Sequence, residues 1–396
     1  MRVLHVQYTN PSAYPPLVRG AQLLAESGAD VLMLGTSVRA LDPLGTVPAS
    51  GITVRLAPAA DDGWRLKAHY ARYAAWVARE AAVWQPDWIY ASDLLAAPIA
   101  LAVAPLTRSR VVYHEHDAPT HERPSWAIRR SLDARLRLLR RADAVVAPNA
   151  ERAARLSALA GGRHVFTVWN CPRRPTRPPR RGASSNVLRV IFRGSVNAER
   201  LPLTVIDAIA GVDRPVTLEV AGYETPGSRG YLAALAARAA ERGGADRVRL
   251  LGALPDVQLS SISEHSDVGL ALMPIASSDE NMRQMTGASN KVFEYLACGV
   301  VPMVSDLRDW RRTFVEPGYA FACDPTDVAS VAGQLRWAAD HRDALREIAS
   351  RGWERVAHDW NYEWQFAPVL DAMLGRKTTT SAPDEAVQPD EATCAL

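Results

Sequence analysis

Ser289-Asn290-Lys291-Val292-Phe293-Glu294-Tyr295-Leu296-Ala297-Cys298-Gly299 runs into Val300-Val301-Pro302-Met303-Val304. Small polar residues open a helix, and Lys291 and Glu294 sit three apart on one helical face. A glycine ends the helix, and the apolar run after it reads as a strand. Such a helix-to-strand step belongs to a parallel sheet with crossover helices. Lys291 also stands out by composition. Lys and Arg total 46, yet the only lysines are Lys67, Lys291 and Lys377. In a chain that otherwise carries positive charge on Arg, a Lys at a helix start points to a site that needs a compact ammonium. Chance placement of a surface Lys is the plain alternative.

The same alternation extends in both directions. Strands are expected at Val3–Gln7, Asp30–Leu34, Asp87–Ala91, Arg110–Tyr113, Ala144–Ala147 and His164–Val168, with helices between them. A second series follows at Leu188–Phe192, Val216–Ala221, Val248–Leu251, Val268–Leu272 and Val300–Val304. Between the series, Pro172 to Asn186 holds five Arg, four Pro and no acid, which is linker composition. The expected organisation is an α/β chain of two Rossmann-like parallel-sheet domains, 1–172 and 187–359, joined by a basic Pro-rich linker at 173–186. A last helix at about 360–374 completes the first domain, and a disordered tail covers 376–396. Open parallel sheets bind ligands at the carboxyl ends of their strands, so two facing sheets would form a central cleft.

At 396 residues the chain has room for two domains of ordinary size. It is 48% hydrophobic and 22% charged, as globular proteins are. The 46 basic residues are balanced by 43 acids, so the net charge of +3 gives no sign of a nucleic-acid partner. Abundant Ala and Arg with few Lys suggest a GC-rich bacterial genome. The start, Met1-Arg2-Val3-Leu4-His5-Val6, is too short in apolar content for a signal peptide. The longest apolar run, Leu94 to Leu106, falls short of the roughly 18 residues that span a bilayer. Cys171, Cys298, Cys323 and Cys394 lack metal-ligand spacing, and the expected compartment is a reduced cytoplasm.

Several residues could carry chemistry. The turns after the second-half strands hold Arg193-Gly194-Ser195, Gly222, Gly252 and Thr286-Gly287-Ala288-Ser289-Asn290, where glycine lets a ligand approach the backbone. No Gly-x-Gly-x-x-Gly follows the first strand of that half, which disfavours nicotinamide and flavin. A helix start near Ser289 suits a phosphate. Its dipole supplies only about 0.3–1 kcal/mol at an exposed site. A diphosphate therefore needs cations, for which Arg193, Arg200 and Lys291 are candidates. Glu294 suits a pair of sugar hydroxyls; otherwise it is an i, i+3 partner of Lys291 worth a few tenths of a kcal/mol. In the first half, His114-Glu115-His116-Asp117 ends a strand. It reads either as a functional cluster around His116 or as a helix-cap cluster with His114 and Glu115 solvated. Asp93 lies at another strand end, where a helix cap is the simpler reading. Asn10 lies in the first loop.

On these residues the chain resembles the GT-B-fold glycosyltransferases of the retaining family 4 type, over nearly all of residues 1–374. Met285 to Pro302 resembles the family's donor signature, in which Ser-x-Lys-x-x-Glu-Tyr precedes a small-residue helix end. The resemblance implies that Glu294 binds the ribose of a nucleotide-sugar donor, UDP-sugar by default. It implies that Gly194 and the loop Thr286, Gly287, Ala288, Ser289 and Asn290 contact diphosphate or sugar. It implies that Arg193 and Arg200 neutralise the diphosphate, with Lys291 beside them. His116 takes the place of the family's first-domain His, which faces the donor sugar or acceptor. Asp93, Asp117 and Asn10 fall on the acceptor side. The family's Glu-x7-Glu pattern has its first Glu at position 286, where this chain has Thr286; in the family that Glu contacts the donor sugar. Tyr8-Thr9-Asn10-Pro11-Ser12 replaces the family's paired glycines. Asp-x-Asp, the divalent-ion motif of the other major sugar-transferase fold, is absent from the chain, and no metal or cofactor is expected.

Three functions fit this pattern. The first is metal-independent transfer to a hydroxyl of a glycan, lipid-linked or secondary-metabolite acceptor. The second is epimerisation of a nucleotide-sugar, and the third is nucleotide-sugar binding without catalysis. Arg123 to Arg141 carries seven Arg on a leucine-bearing helix. It reads as a weak peripheral membrane contact or as a helix packed on the sheet with a solvated Arg face, and the second is preferred. Tyr70, Tyr73, Trp76 and Trp84 read as core rather than as a sugar platform.

Overall fold

The structure is a computed structural model that describes residues 1–37, 50–59, 64–119, 124–179 and 186–376. Two compact units are present. One holds the chain up to Trp169 and again from Glu363; the other is Asn170–Tyr362. Part of the Arg- and Pro-rich segment, 180–185, lies outside the described residues, as does the tail from Lys377 that is expected to be disordered.

The first unit is a seven-stranded parallel sheet of β1 (Arg2–Val6), β2 (Asp30–Thr36), β3 (Ile52–Ala57), β4 (Trp88–Ser92), β5 (Arg110–His114), β6 (Ala144–Ala147) and β7 (Phe166–Thr167). Its order is β3-β2-β1-β4-β5-β6-β7. The second unit has β8 (Leu188–Val196), β9 (Val216–Glu224), β10 (Val248–Leu250), β11 (Val268–Ala271), β12 (Val301–Ser305) and β13 (Phe321–Cys323), in the order β10-β9-β8-β11-β12-β13. All pairings are parallel; Val3–Val6 of β1, for example, lie opposite Trp88–Ala91 of β4. Each sheet reverses its strand order once, between β1 and β4 and between β8 and β11. Such reversals open a crevice at the strands' carboxyl ends, the usual ligand position in open α/β sheets.

The central strands are continuous apolar runs because helices cover both faces. All residues of β4, β6, β11 and β12 are buried. Two edge strands escape the hydrophobic periodicity. β3 is half-exposed along its length, and β13 is only three residues long. The first core gathers Leu4, Leu34, Tyr73, Val77, Ile89 and Tyr113, and the second Phe192, Ile206, Leu218, Leu270, Met303 and Leu335. Tyr73 is part of that core, and its hydroxyl donates to the Leu34 carbonyl at 2.8 Å. Among the described residues no helix is long and apolar enough to cross a membrane.

Candidate active site

The second unit places its chemistry where β8 meets β11. Arg193, Gly194 and Ser195 form the carboxyl half of β8, and the helix carrying Lys291 and Glu294 packs against the sheet beside them. That helix is Lys291–Ala297, so it begins two residues later than the expected start at Ser289. Ser289 belongs to a turn, and its amide donates to the Met285 carbonyl at 2.8 Å. Tyr295 sets the depth of the helix. Its hydroxyl accepts from the Arg193 amide at 3.2 Å and donates to the Leu270 carbonyl at 3.2 Å. Its ring lies on Gly269, where a Cβ would come within 2.4 Å of it.

Lys291 is only 5% exposed, so it is no surface lysine. Its Nζ is buried without a hydrogen-bond partner and lies 4.2 Å from the centre of the Phe192 ring. Burial pulls the ammonium well below its ordinary range. Arg200 and Arg193 lower it further, and Glu294 opposes them. Gly194 lies alongside at φ +103°, a conformation that side-chain-bearing residues rarely adopt. Opposite it, Gly222 leaves no room for a Cβ, which would stand 2.2 Å from the Gly194 carbonyl oxygen. The backbone beside the ammonium is therefore bare.

Glu294 pairs with Arg193 rather than with Lys291. Arg193 Nη2 lies 3.0 Å from Oε2, and Asn290 Nδ2 donates to Oε1 at 2.8 Å. Arg200 donates from Nη1 to Ser195 Oγ at 3.0 Å. Thr286 is half-buried, and Gly287 follows it at φ +75°. Arg193, Gly194, Arg200, Lys291 and Glu294 thus form one cluster, with Thr286 to Asn290 leading into its helix.

The first unit gathers a different set. Tyr90 of β4 stacks on His5 of β1, with ring centres 4.5 Å apart, and its hydroxyl lies 2.7 Å from His114 Nδ1. The His114 and His116 ring centres are 3.8 Å apart. Both ring nitrogens of His5 and of His116 are buried with no partner among the described residues. Burial pushes His5 down to about 3; burial and then the Arg152 guanidinium push His116 to about 3. Both are neutral imidazoles at physiological pH. Asp93 reaches the His116 amide with Oδ1 at 2.8 Å. Burial raises this carboxyl to about 7, while the His116 amide holds it down in part. Asp93 also has φ +62° in a non-glycine residue, a strained position of the kind found at functional sites.

Two of the plain readings are corrected. Asp93 is not a helix cap: Ser92 is the cap residue, and the Asp93 carboxylate serves the β5 turn instead. His114 and Glu115 are not solvated, with exposures of 0% and 4%. Glu115 forms a two-pronged ion pair with Arg135, which also removes one guanidinium from the Arg face of the helix Trp126–Arg141. Asn10 caps a short turn, accepting from the Ser12 amide at 3.0 Å. Asp117 is exposed and lies 3.5 Å from Arg152.

Phe192, Tyr90, Arg152 and Asn170, which the structure sets beside the candidate residues, were given no role by the sequence. Phe192 read as the end of a strand, and Tyr295 as part of the signature run. Nothing in the sequence singled out Asn170, yet its amide donates to the Gly287 carbonyl at 2.8 Å and its Nδ2 to the Ala288 carbonyl at 2.6 Å.

A glycosyl transferase 4-like domain model matches residues 18–171, and a glycosyl transferase-like model matches residues 214–371. No curated protein sequence matches the chain. Among solved structures, Anabaena HepE in complex with UDP and glucose is similar at TM-score 0.70 and 17% identity, over 95% of this chain and 100% of that one. Sucrose-phosphate synthase from Thermosynechococcus elongatus is similar at TM-score 0.69 and 14% identity, over 95% and 97%. A Listeria monocytogenes structure described as a putative UDP-N-acetylglucosamine 2-epimerase gives TM-score 0.62 and 14% identity, over 96% and 99%. With a glycosyltransferase model on each parallel-sheet unit and whole-chain likeness to these structures, the chain belongs to the GT-B glycosyltransferases.

Proposed function

We propose that the enzyme moves a sugar from a nucleoside-diphosphate sugar, UDP by default, to an acceptor hydroxyl with retention and without a metal ion. The acceptor is a glycan, a lipid-linked sugar or a secondary metabolite. The observation that supports this reading is the buried Lys291 ammonium, unpartnered beside Phe192 and the bare Gly194 backbone. An unpaired cation in such a place is costly unless an anion completes it. A diphosphate would do so, with Arg193 and Arg200 sharing its charge. Glu294 would take the ribose hydroxyls. The Gly287 to Asn290 loop would line the diphosphate, and Thr286 would stand near the sugar.

In the transfer, the anomeric C–O bond to the diphosphate breaks and negative charge grows on the departing oxygen. Lys291, Arg193 and Arg200 stabilise that charge in a low-dielectric site, the task a divalent ion performs elsewhere. The acceptor oxygen bonds to the anomeric carbon on the same face, and its proton passes to the departing phosphate. His116, being neutral, orients sugar or acceptor by hydrogen bonding. Asp93 and Asp117, with Asn10, are read as the acceptor-side polar groups. Proton NMR of the product from a defined nucleotide-sugar tests this. Inverted stereochemistry, or unchanged turnover in both His116→Ala and Glu294→Ala, would overturn it.

The likeness to the Listeria structure keeps epimerisation as a second reading. Incubation with donor alone distinguishes the two, since an altered sugar without acceptor favours epimerisation. UDP binding without acceptor-dependent turnover favours a binding protein. A weak peripheral membrane contact has one support of its own. Trp126 is 70% exposed, and Arg130 lies 4.9 Å from the centre of its ring. Sedimentation with anionic vesicles, lost in Arg129→Glu/Arg130→Glu, tests that contact. The place of work proposed for the enzyme is the cytoplasm, with this helix against the inner face of the membrane.

A further inference from the structure

Asn170 opens the segment Asn170–Tyr362 of the second unit, directly after Trp169 of the first. It lies 117 and 118 positions before the two carbonyls it holds. The Asn170 amide donates to Gly287 O at 2.8 Å, and Asn170 Nδ2 donates to Ala288 O at 2.6 Å. A trans peptide is planar, with its N–H opposed to its C=O. Holding the Gly287 carbonyl therefore turns the Ala288 N–H away from Asn170. Holding the Ala288 carbonyl likewise turns the Ser289 N–H away, and that N–H donates to Met285 O at 2.8 Å. Two adjacent peptide planes are thus set by one residue.

The loop needs such a setting. Gly287 sits at φ +75°, and glycine is the residue with the widest choice of alternative backbone conformations. Left alone, the Gly287–Ala288 peptide could rotate and present an oxygen where an anion needs an N–H. We propose that Asn170 is a positioning residue for nucleoside-diphosphate binding. By holding the Gly287 and Ala288 carbonyls, it keeps the Ala288 N–H, and not an oxygen, turned toward the phosphates, and keeps the Ser289 N–H on the Met285 carbonyl. This rests on the reading of Thr286 to Asn290 as the donor loop. It adds a residue outside the donor signature, and it makes the start of the segment Asn170–Tyr362 part of the donor site's frame.

Two variants separate this role from simple packing. Asn170→Ala removes the Nδ2 donor and keeps the backbone bond. Asn170→Asp keeps the shape but sets a carboxylate oxygen against the Ala288 carbonyl. A packing role makes the isosteric Asp the milder change, whereas the positioning role makes it the worse one. Hydrogen–deuterium exchange on the ligand-free full chain reads the loop directly, with the Ser289 amide as reporter. Loss of one such bond should speed its exchange about tenfold in Asn170→Ala, and more in Asn170→Asp. UDP titration should weaken in the same order, with unchanged exchange in the first unit. Unchanged Ser289 exchange in Asn170→Asp overturns the proposal. So does a rise spread evenly over both units in both variants. Wild-type protein that fails to bind UDP overturns the donor reading instead, while the exchange result still decides whether Asn170 sets the loop.

Discussion

Replacing Lys291 by Met separates what the ammonium does for binding from what it costs the fold. Methionine keeps the unbranched length and packs well on the Phe192 ring. What disappears is a charge 5% exposed, with no hydrogen-bond partner and with Arg193 and Arg200 raising the local potential. An unsatisfied buried polar group costs about 1–3 kcal/mol, and more when charged, so Lys291→Met should stabilise the free protein by at least that order. For domains of this size the midpoint moves roughly 2–4 °C per kcal/mol. Binding should change in the opposite direction. A hydrogen bond to a charged group is worth about 1.5–3 kcal/mol, so UDP should bind roughly 10- to 150-fold more weakly. Proton linkage gives a third readout. The native ammonium titrates well below the ordinary lysine value of about 10.4. Between those values the unfolded chain carries the proton that the native state lacks. Wild-type stability therefore rises with pH across that window, and the Met variant loses the rise. Melting curves against pH and titration calorimetry with UDP provide the assays. A variant less stable than wild type that still binds UDP at full strength would refute the reasoning.

Asp93→Asn should change the pH dependence of stability in the opposite sense. The native carboxyl holds its proton to about 7 against an ordinary value of 3.8, so its contribution is fully present at low pH. It is lost as pH rises from about 4 to about 7, and the Asn variant should be flat there in denaturant titrations. Glu115→Gln leaves the buried Arg135 guanidinium without its counter-charge and should cost about 3–5 kcal/mol of stability. UDP affinity of the folded variant should be unchanged, and a shift in that affinity would place Glu115 in the site. Glu294→Ala should erase any preference for UDP over 2′-deoxy-UDP, measured as a ratio of dissociation constants; a preserved ratio would remove Glu294 from the ribose.

The sequence carried the sheets well because their central strands are buried on both faces and read as unbroken apolar runs. It lost β3 and β13, where an edge strand needs less apolar surface and the pattern thins. In the second unit, Arg193, Lys291 and Glu294 were visible because ionisable groups at strand ends and a rare lysine are unusual in themselves. Their pairing was not visible. The i, i+3 spacing of Lys291 and Glu294 suggests a mutual ion pair, but β8 brings Arg193 to Glu294 and leaves the ammonium over Phe192. Asn170 was hidden because its partners lie more than a hundred positions away, and nothing local marks an asparagine that serves distant carbonyls. The polarity of the His114 to Asp117 run was read correctly as unusual. The burial of His114, Glu115 and His116 was not read, because the partner of Glu115 lies on the following helix, at Arg135.

Tyr295 and Gly269 bear on how this site can change over generations. The ring occupies the space where the glycine has no side chain, and a Cβ there would stand 2.4 Å from it. The hydroxyl is held by the Arg193 amide and the Leu270 carbonyl, so the ring cannot step aside without releasing both. An alanine at position 269 is therefore incompatible with tyrosine at 295, and a smaller residue at 295 leaves the helix bearing Lys291 and Glu294 unsupported. The two positions must drift as a pair or not at all. In a set of homologous chains they should covary, although neither is among the residues proposed to hold the donor.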